Sequence, residues 1–417
     1  MKKILFTLFI LVFAIFFILN FSGCSKLKVS NLSANKHLKE GNKFYVQEKF
    51  KKASDEYEKA LEMNPELKVA YLYLGTSYSS LYKPGKQTDR NKEYGEKAIK
   101  YLHLAEEFQP DNDDVVIALG NMYDKLGNFE EAEKYFLKIL EKSKDDPKAY
   151  YTLANFYAQN QKFKKAEEMY KKRIELDPEN STAYYFLASY LQNYRAWDKA
   201  IDAHRKRIIC MTNPALLEYY KKIDEIRSGI QRVSDIEKYI RNVEKNKAIP
   251  AEQKKELLAS KKEELKKYPS LKEAMKQIED IQKELDALMA QEEQKMINLS
   301  PEEKMKLAEA YYSLGVVYWN KSYQTPVEEA ILPKVEREAA IKSGFKVLEM
   351  AIKLAPEYPN PYSYMGLLWR EMTKINKAKS SEYIAKNKEF NKKFKDIYIK
   401  KRKKEAYKKQ LEELEKQ

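Results

Sequence analysis

Apolar residues recur along most of this chain at steps of three and four, the spacing of one helix face. They come as paired stripes divided by short polar turns. The first pair reads Gly41, Phe44, Ala53, Tyr57, Ala60, Pro65; the second reads Tyr71, Leu74, Gly75, Tyr78, then Ala98, Leu102, Ala105, Pro110. Three more follow without gaps from Asp113 to about Pro214: Leu119, Gly120, Tyr123, Ala132, Phe136, Ile139; then Tyr150, Leu153, Ala154, Tyr157, Ala166, Tyr170, Pro178; then Tyr184, Leu187, Ala188, Leu191, Ala200, His204. Small residues mark the points of closest helix approach, since only they let two backbones press together. Gly41, Gly75, Gly120, Ala154 and Ala188 hold that place on first helices, and Ala53, Ala98, Ala132, Ala166 and Ala200 on second helices. Pro65, Pro110 and Pro178 end second helices, because proline cannot continue one.

The interval between equivalent positions, 34 residues from Ala154 to Ala188, resembles the tetratricopeptide repeat (TPR), a helix–turn–helix unit. From Leu216 to about Leu299 this pattern is lost. Ile223, Ile226, Ile230, Val233, Ile236, Ile240 and Val243 form one stripe there, and Leu271, Met275, Ile278, Ile281, Leu285 and Leu288 another, as in a coiled-coil-like hairpin. Ala248-Ile249-Pro250 and Tyr268-Pro269 read as breaks, Ser270 with Glu273 as a capping box, and the charged faces as solvated surface. The repeat returns at Tyr311, Leu314, Gly315, Tyr318, Gly344, Leu348, Ala351, Pro356. It ends in a weaker unit, Tyr362, Met365, Gly366, Trp369, Ala378, Ala385, with Glu382 where an apolar residue is expected. The expected fold is all-α: a TPR solenoid interrupted by a long helical, coiled-coil-like hairpin.

The chain begins Met1-Lys2-Lys3, runs almost unbroken through Ile, Leu, Phe and Val from Ile4 to Leu19, and reaches Phe21-Ser22-Gly23-Cys24. A charged start, an apolar stretch and small residues describe a secretory signal. The small pair before Cys24 resembles the bacterial lipoprotein signal, departing at Phe21, where leucine is usual. That resemblance implies acylation of Cys24 and an exported, membrane-anchored chain. By the same resemblance Ser25, which is not Asp, implies the periplasmic face of the outer membrane in a diderm; otherwise the outer face of the plasma membrane is expected. Ile4 to Phe21 also admits an uncleaved transmembrane anchor. The expected plan is therefore a signal at 1–23, a tether at 24–33, about five repeats at 34–214 with an insertion near 82–92, the inserted helices at 215–300, about two repeats at 301–392 with an insertion near 320–339, and a basic helix at 393–417.

Composition narrows the chemistry. With 43% hydrophobic residues the chain has matter for a core, which excludes general disorder. Two cysteines exclude a disulfide framework, and three histidines, His37, His103 and His204, are scattered. His204 stands where other repeats have Tyr57, Phe136 or Tyr170, so it reads as packing, and Cys210 reads the same way. No catalytic, metal or cofactor site is expected, and the chain is not read as an enzyme.

First helices of a TPR line a groove for extended or helical peptides. Carried onto this chain, that resemblance implies Asn121, Tyr151, Asn155, Tyr185, Ser189 and Tyr312 as groove residues, with Lys125 the one basic groove residue of the first block. Asn offers donor and acceptor to a bound backbone, and Tyr a broad face with a polar tip. The alternative is that Tyr151 and Tyr185 merely pack in the stack. A net charge of +15 brings anionic partners into consideration. Lys386 to Lys409 holds 12 Lys or Arg against three acidic residues, with Lys400, Lys401, Arg402, Lys403 and Lys404 consecutive behind Phe390, Phe394, Ile397 and Tyr398. This reads either as a cationic amphipathic helix for anionic lipid or polymer, or as a terminal helix capping the solenoid. The export signal disfavours nucleic acid. The leading expectation is a lipid-anchored scaffold for envelope proteins or peptides; the rivals are a coiled-coil protein that oligomerises through 215–300 and a binder acting through the basic tail.

Overall fold

The computed structural model describes residues 31–296, 298–323 and 332–414, with side-chain surroundings as far as 406. The segment around Cys24 and residues 324–331 of the insertion near 320–339, Pro326 included, lie outside the described residues. Among the described residues there are helices and no strands, and no helix is long and apolar enough to cross a membrane. The fold is an all-α stack of helical hairpins, divided into two compact units at Leu176/Asp177.

The first unit contains α1 (31–46), α2 (Phe50–Met63), α3 (Lys68–Leu81), α4 (Asp89–Phe108), α5 (Asp113–Lys125), α6 (Phe129–Lys142), α7 (Pro147–Gln159) and α8 (Phe163–Leu176). These pair as α1/α2, α3/α4, α5/α6 and α7/α8. Small residues set the pairing: Ala53, Ala98, Ala132 and Ala166 are wholly buried. At Gly75 a Cβ would lie 2.7 Å from Leu102 Cγ and 3.0 Å from the Leu102 backbone nitrogen, so only glycine fits. Helix starts are fixed locally. Asn112, Asn128 and Asp146 each accept a backbone N–H of the helix that follows, and Pro147 takes a first-turn position that needs no donor.

The insertion near 82–92 is part loop and part helix. Residues 82–88 are irregular, and α4 is 20 residues long where α2 has 14. Buried Asn91 holds the loop: its Oδ1 accepts from Lys83 N (2.8 Å), and its Nδ2 donates to Lys83 O (2.9 Å) and Lys86 O (2.8 Å).

The second unit contains α9 (Ser181–Asn193), α10 (Trp197–Thr212), α11 (Leu217–Lys245), α12 (Ala251–Leu265), α13 (Leu271–Met296), α14 (Pro301–Ser322), α15 (Lys334–Leu354), α16 (Asn360–Ile375) and α17 (Ser380–Leu414). Here α14 packs directly against α10, so the stack runs α9/α10, α14/α15, α16/α17 and the three helices α11–α13 form an excursion from it. Breaks fall at 246–250 and 266–270, as the sequence indicates, and Ser270 and Glu273 form the reciprocal cap (2.9 and 3.3 Å).

The excursion has three helices where two stripes were read, and α12 buries nothing. Its charged residues near α10 are also not simply solvated. Arg205 pairs with Asp286 of α13 and Asp202 with Arg227 of α11, while Lys206 reaches Asp224 at 2.6 Å. Ile209, Leu216, Tyr220 and Leu285 form the apolar part of this joint.

The last hairpin departs from its expected register. Ala378 and Ala385 are exposed. A short 3-10 turn, Lys377–Lys379, delays α17. Tyr383 is buried instead, and Asn387 Nδ2 donates to Gly366 O at 2.6 Å. α17 then runs unbroken to Leu414, through the boundary expected at 392.

Candidate functional site

In the first unit the expected groove positions lie on the odd-numbered helices. Tyr57 Oη donates to Asn42 Oδ1 at 2.8 Å, and Tyr170 Oη donates to Asn155 Oδ1 at 2.6 Å. Each is a first-helix asparagine held by a second-helix tyrosine fifteen residues later. The third hairpin has Phe136 in the tyrosine position, so Asn121 lacks that anchor and is exposed. Tyr151, one turn before Asn155, is half-buried beneath the Arg173 guanidinium, 5.0 Å from its ring centre, and beside Tyr170.

Lys125 is not a free groove cation. Its Nζ donates to Ser79 O (2.7 Å) and Ser79 Oγ (3.1 Å), and burial lowers its pKa. It therefore ties α5 to the preceding hairpin.

In the second unit Tyr185 and Ser189 sit one turn apart on α9, with Tyr185 39% exposed. The Arg207 guanidinium lies 4.7 Å above the Tyr185 ring and reaches Ser313 Oγ at 3.4 Å, next to Tyr312. Burial lowers the Arg207 pKa, with Tyr185 acting against the shift. Tyr312 meets Tyr358 and Tyr364 edge-on at 5.5 and 5.4 Å, and burial raises its hydroxyl pKa. Trp319 continues this surface, edge-on to Tyr364 (5.4 Å) and stacked on Tyr323 (5.0 Å).

Sequence reasoning named the tyrosines and passed over the arginines and Trp319. The signal was present, since Arg173 and Arg207 stand 34 residues apart, as Tyr151 and Tyr185 do. Both rings pack under an arginine, as the alternative reading expects, and Tyr185 is 39% exposed.

The histidines are dispersed. His37 contacts Glu56 at 2.7 Å, and His103 lies between Tyr123 Oη (2.9 Å) and Glu106 (3.2 Å). His204 is wholly buried against Gln192 (2.9 Å). Cys210 is partly buried, and burial pushes its thiol pKa up to about 12, away from thiolate reactivity. Among the described residues no group of three or more His, Cys, Asp or Glu is placed to hold a metal.

The expected basic helix is placed at the end of α17. Part of its apolar stripe is in use: Phe390 faces Tyr362 (6.5 Å) and joins the cluster of Tyr383, Leu368 and Met365, while Phe394 stacks on Tyr398 (5.8 Å), which is 41% exposed. Lys400 pairs with Glu357 at 2.9 Å, and Lys401, Arg402, Lys403 and Lys404 are exposed.

Residues 96–206 match the family of anaphase-promoting complex (cyclosome) subunit 3. No curated protein matches the chain. Among solved structures the chain is similar to MamA, with 20% identity over 44% of this chain and 94% of that one and a TM-score of 0.34. It is similar to YrrB, a TPR protein with an unusual peptide-binding site, with 22% identity over 45% and 90% and a TM-score of 0.30. PilW, a type IV pilus biogenesis factor, gives 18% identity over 45% and 83% and a TM-score of 0.34. At this identity and score the likenesses say nothing about partners.

Proposed function

We propose that this chain is a non-catalytic docking scaffold whose inner helix faces hold segments of other proteins. One observation carries the reading: Asn42 and Asn155 each have the carboxamide oxygen engaged by a tyrosine hydroxyl. That fixes the side chain and leaves its two N–H donors for the carbonyls of a bound backbone. Exposed Asn121 and the 39% exposed Tyr185 extend the same chemistry within their own units. Stacking hairpins suits this role because it builds a long lined surface from repeated parts.

We further propose export and tethering by lipidated Cys24, with envelope proteins as partners. The support is the run Lys2-Lys3, Ile4 to Leu19, Gly23-Cys24. The test is capture from detergent-solubilised membranes by the intact chain and by an Asn121→Ala/Asn155→Ala variant of equal helicity. A partner held by the first and lost by the second supports the groove. Equal capture puts binding elsewhere, and recovery of the chain alone favours self-association through α11–α13, where Leu271 and Met275 are 59% and 55% exposed.

A further inference from the structure

The end of α17 has a charge distribution that neither the hairpin stack nor the groove uses. α17 packs on α16 through Tyr383, Phe390 and Asn391. Phe390 already faces Tyr362, in the first turn of α16, so the helix beyond it runs past its partner. Lys400 still reaches Glu357, just before α16, at 2.9 Å, so the part beyond it, Lys401 to Leu414, projects by roughly 20 Å at 1.5 Å per residue.

Lys400, Lys401, Arg402, Lys403 and Lys404 are consecutive, and each step turns the helix by about 100°. The four steps from Lys400 to Lys404 pass a full turn, so positive charge surrounds the axis over this stretch. Among the described residues Lys401, Arg402, Lys403 and Lys404 carry no ion pair, whereas Lys386 and Lys393 share Glu389 (3.4 and 2.8 Å). Just before the ring, Tyr398 and Ile399 are 41% and 51% exposed.

We infer that the projecting end of α17 docks on the surface of an anionic phospholipid bilayer, held by charge and without insertion of the helix. Of the apolar stripe Phe390 is taken up against α16, so what stays open for a membrane is the charged ring with Tyr398 and Ile399 beside it. An acidic protein would require a charged face to match, and a ring presents none. A uniformly charged plane is met equally well from any side, and exposed Tyr398 and Ile399 suit the headgroup boundary. A bilayer nearby follows from the proposed N-terminal tether, on which the choice of a membrane rests.

The test uses the full chain with an environment-sensitive dye on Ala406→Cys, in a Cys24→Ser/Cys210→Ser background. Vesicles are phosphatidylcholine alone or mixed with phosphatidylglycerol. Sedimentation with neutral vesicles reads the N-terminal segment separately, so failure of either element leaves the other readable. The dye is expected to brighten on the mixed vesicles only, and raised salt should reverse this. Neutralising residues 400–404 to Gln should weaken the dye response about 100-fold or more. Lys346→Gln with Lys353→Gln, on α15, should leave it unchanged, and circular dichroism confirms that all variants stay helical. Equal brightening on neutral vesicles, indifference to salt, or an equal loss in the α15 variant overturns the inference. So does tighter binding to polyglutamate or duplex DNA than to the vesicles.

Discussion

Replacing Gly75 by alanine probes the close contact between α3 and α4. An alanine Cβ there would sit 2.7 Å from Leu102 Cγ, 2.9 Å from Leu102 Cδ2 and 3.0 Å from the Leu102 backbone nitrogen. A side chain alone can turn aside, but the backbone nitrogen moves only if α4 moves. Overpacking of this kind typically destabilises by about 1–3 kcal/mol. Alanine also gains about 0.8–1.0 kcal/mol over glycine in a helix interior. The net expectation is a loss of up to about 2 kcal/mol. Gly229 of α11 supplies the opposite sign: its nearest neighbour would be Tyr268 Cδ1 at 3.5 Å, ordinary contact, so Gly229→Ala should gain close to the full helical preference. Gly120 is intermediate, because the 3.0 Å contact there is with the Phe136 ring edge, which can tilt. A chain of this size in two units need not unfold in one step. Hydrogen exchange of the α3, α4 and α11 amides therefore reads each site better than a melting curve. Faster exchange in α3 and α4 for Gly75→Ala, with slower exchange in α11 for Gly229→Ala, is the expected pair. Protection in α3 and α4 that is unchanged or raised would refute the claim that close approach selects glycine at this position.

Asn91→Ala should free the 82–88 loop, since three backbone hydrogen bonds depend on one buried carboxamide. Leaving buried groups unpaired costs about 1–3 kcal/mol, and limited proteolysis at Lys83 and Lys86 should accelerate; unaltered cleavage would show that the loop holds itself. His204 should make the second unit acid-sensitive. Its folded pKa is lowered from 6.5 to about 3, first by burial and then by Arg207, so the unfolded chain binds the proton more readily between those values. Stability is fully present above pH 6.5 and is lost as pH falls towards 3, by at most about 1.4 kcal/mol per unit. His204→Phe, matching Phe136, should flatten that part of the pH dependence in urea titrations of the two proteins, and identical slopes would exclude the histidine as a cause.

The hairpin stack was readable because its information is local and repeated. Wholly buried Ala53, Ala98, Ala132, Ala166 and Ala200 stand at intervals the sequence displays openly. The surroundings of the proposed groove residues were half readable. First-helix spacing located Tyr151, Asn155 and Tyr185, but what covers each ring comes from the second helix, and the recurrence of Arg173 and Arg207 had to be noticed separately. The last hairpin misled because a three-residue turn, Lys377–Lys379, shifts α17 without any proline or glycine to mark it.

The path through 215–300 was illegible for a different reason. Where α14 resumes the stack is decided by partners far apart in sequence, and Arg205 and Asp286 are 81 residues apart. Period and propensity carry no trace of such a pairing, because each residue taken alone resembles any charged helix surface. Nor is its contribution simply stability. Buried ion pairs lose in desolvation much of what they gain in attraction, whereas one left unpaired is strongly unfavourable. Asp202, Arg205 and Lys206 on α10 are largely covered while their partners Arg227, Asp286 and Asp224 stay about half exposed, so these pairs act chiefly by penalising dockings that leave an α10 charge covered and unpaired. The apolar joint of Ile209, Leu216, Tyr220 and Leu285 is small and non-directional, so it would tolerate several orientations on its own. The charged pairs select among them, which is how an excursion of more than eighty residues leaves α14 free to meet α10 and the stack to continue.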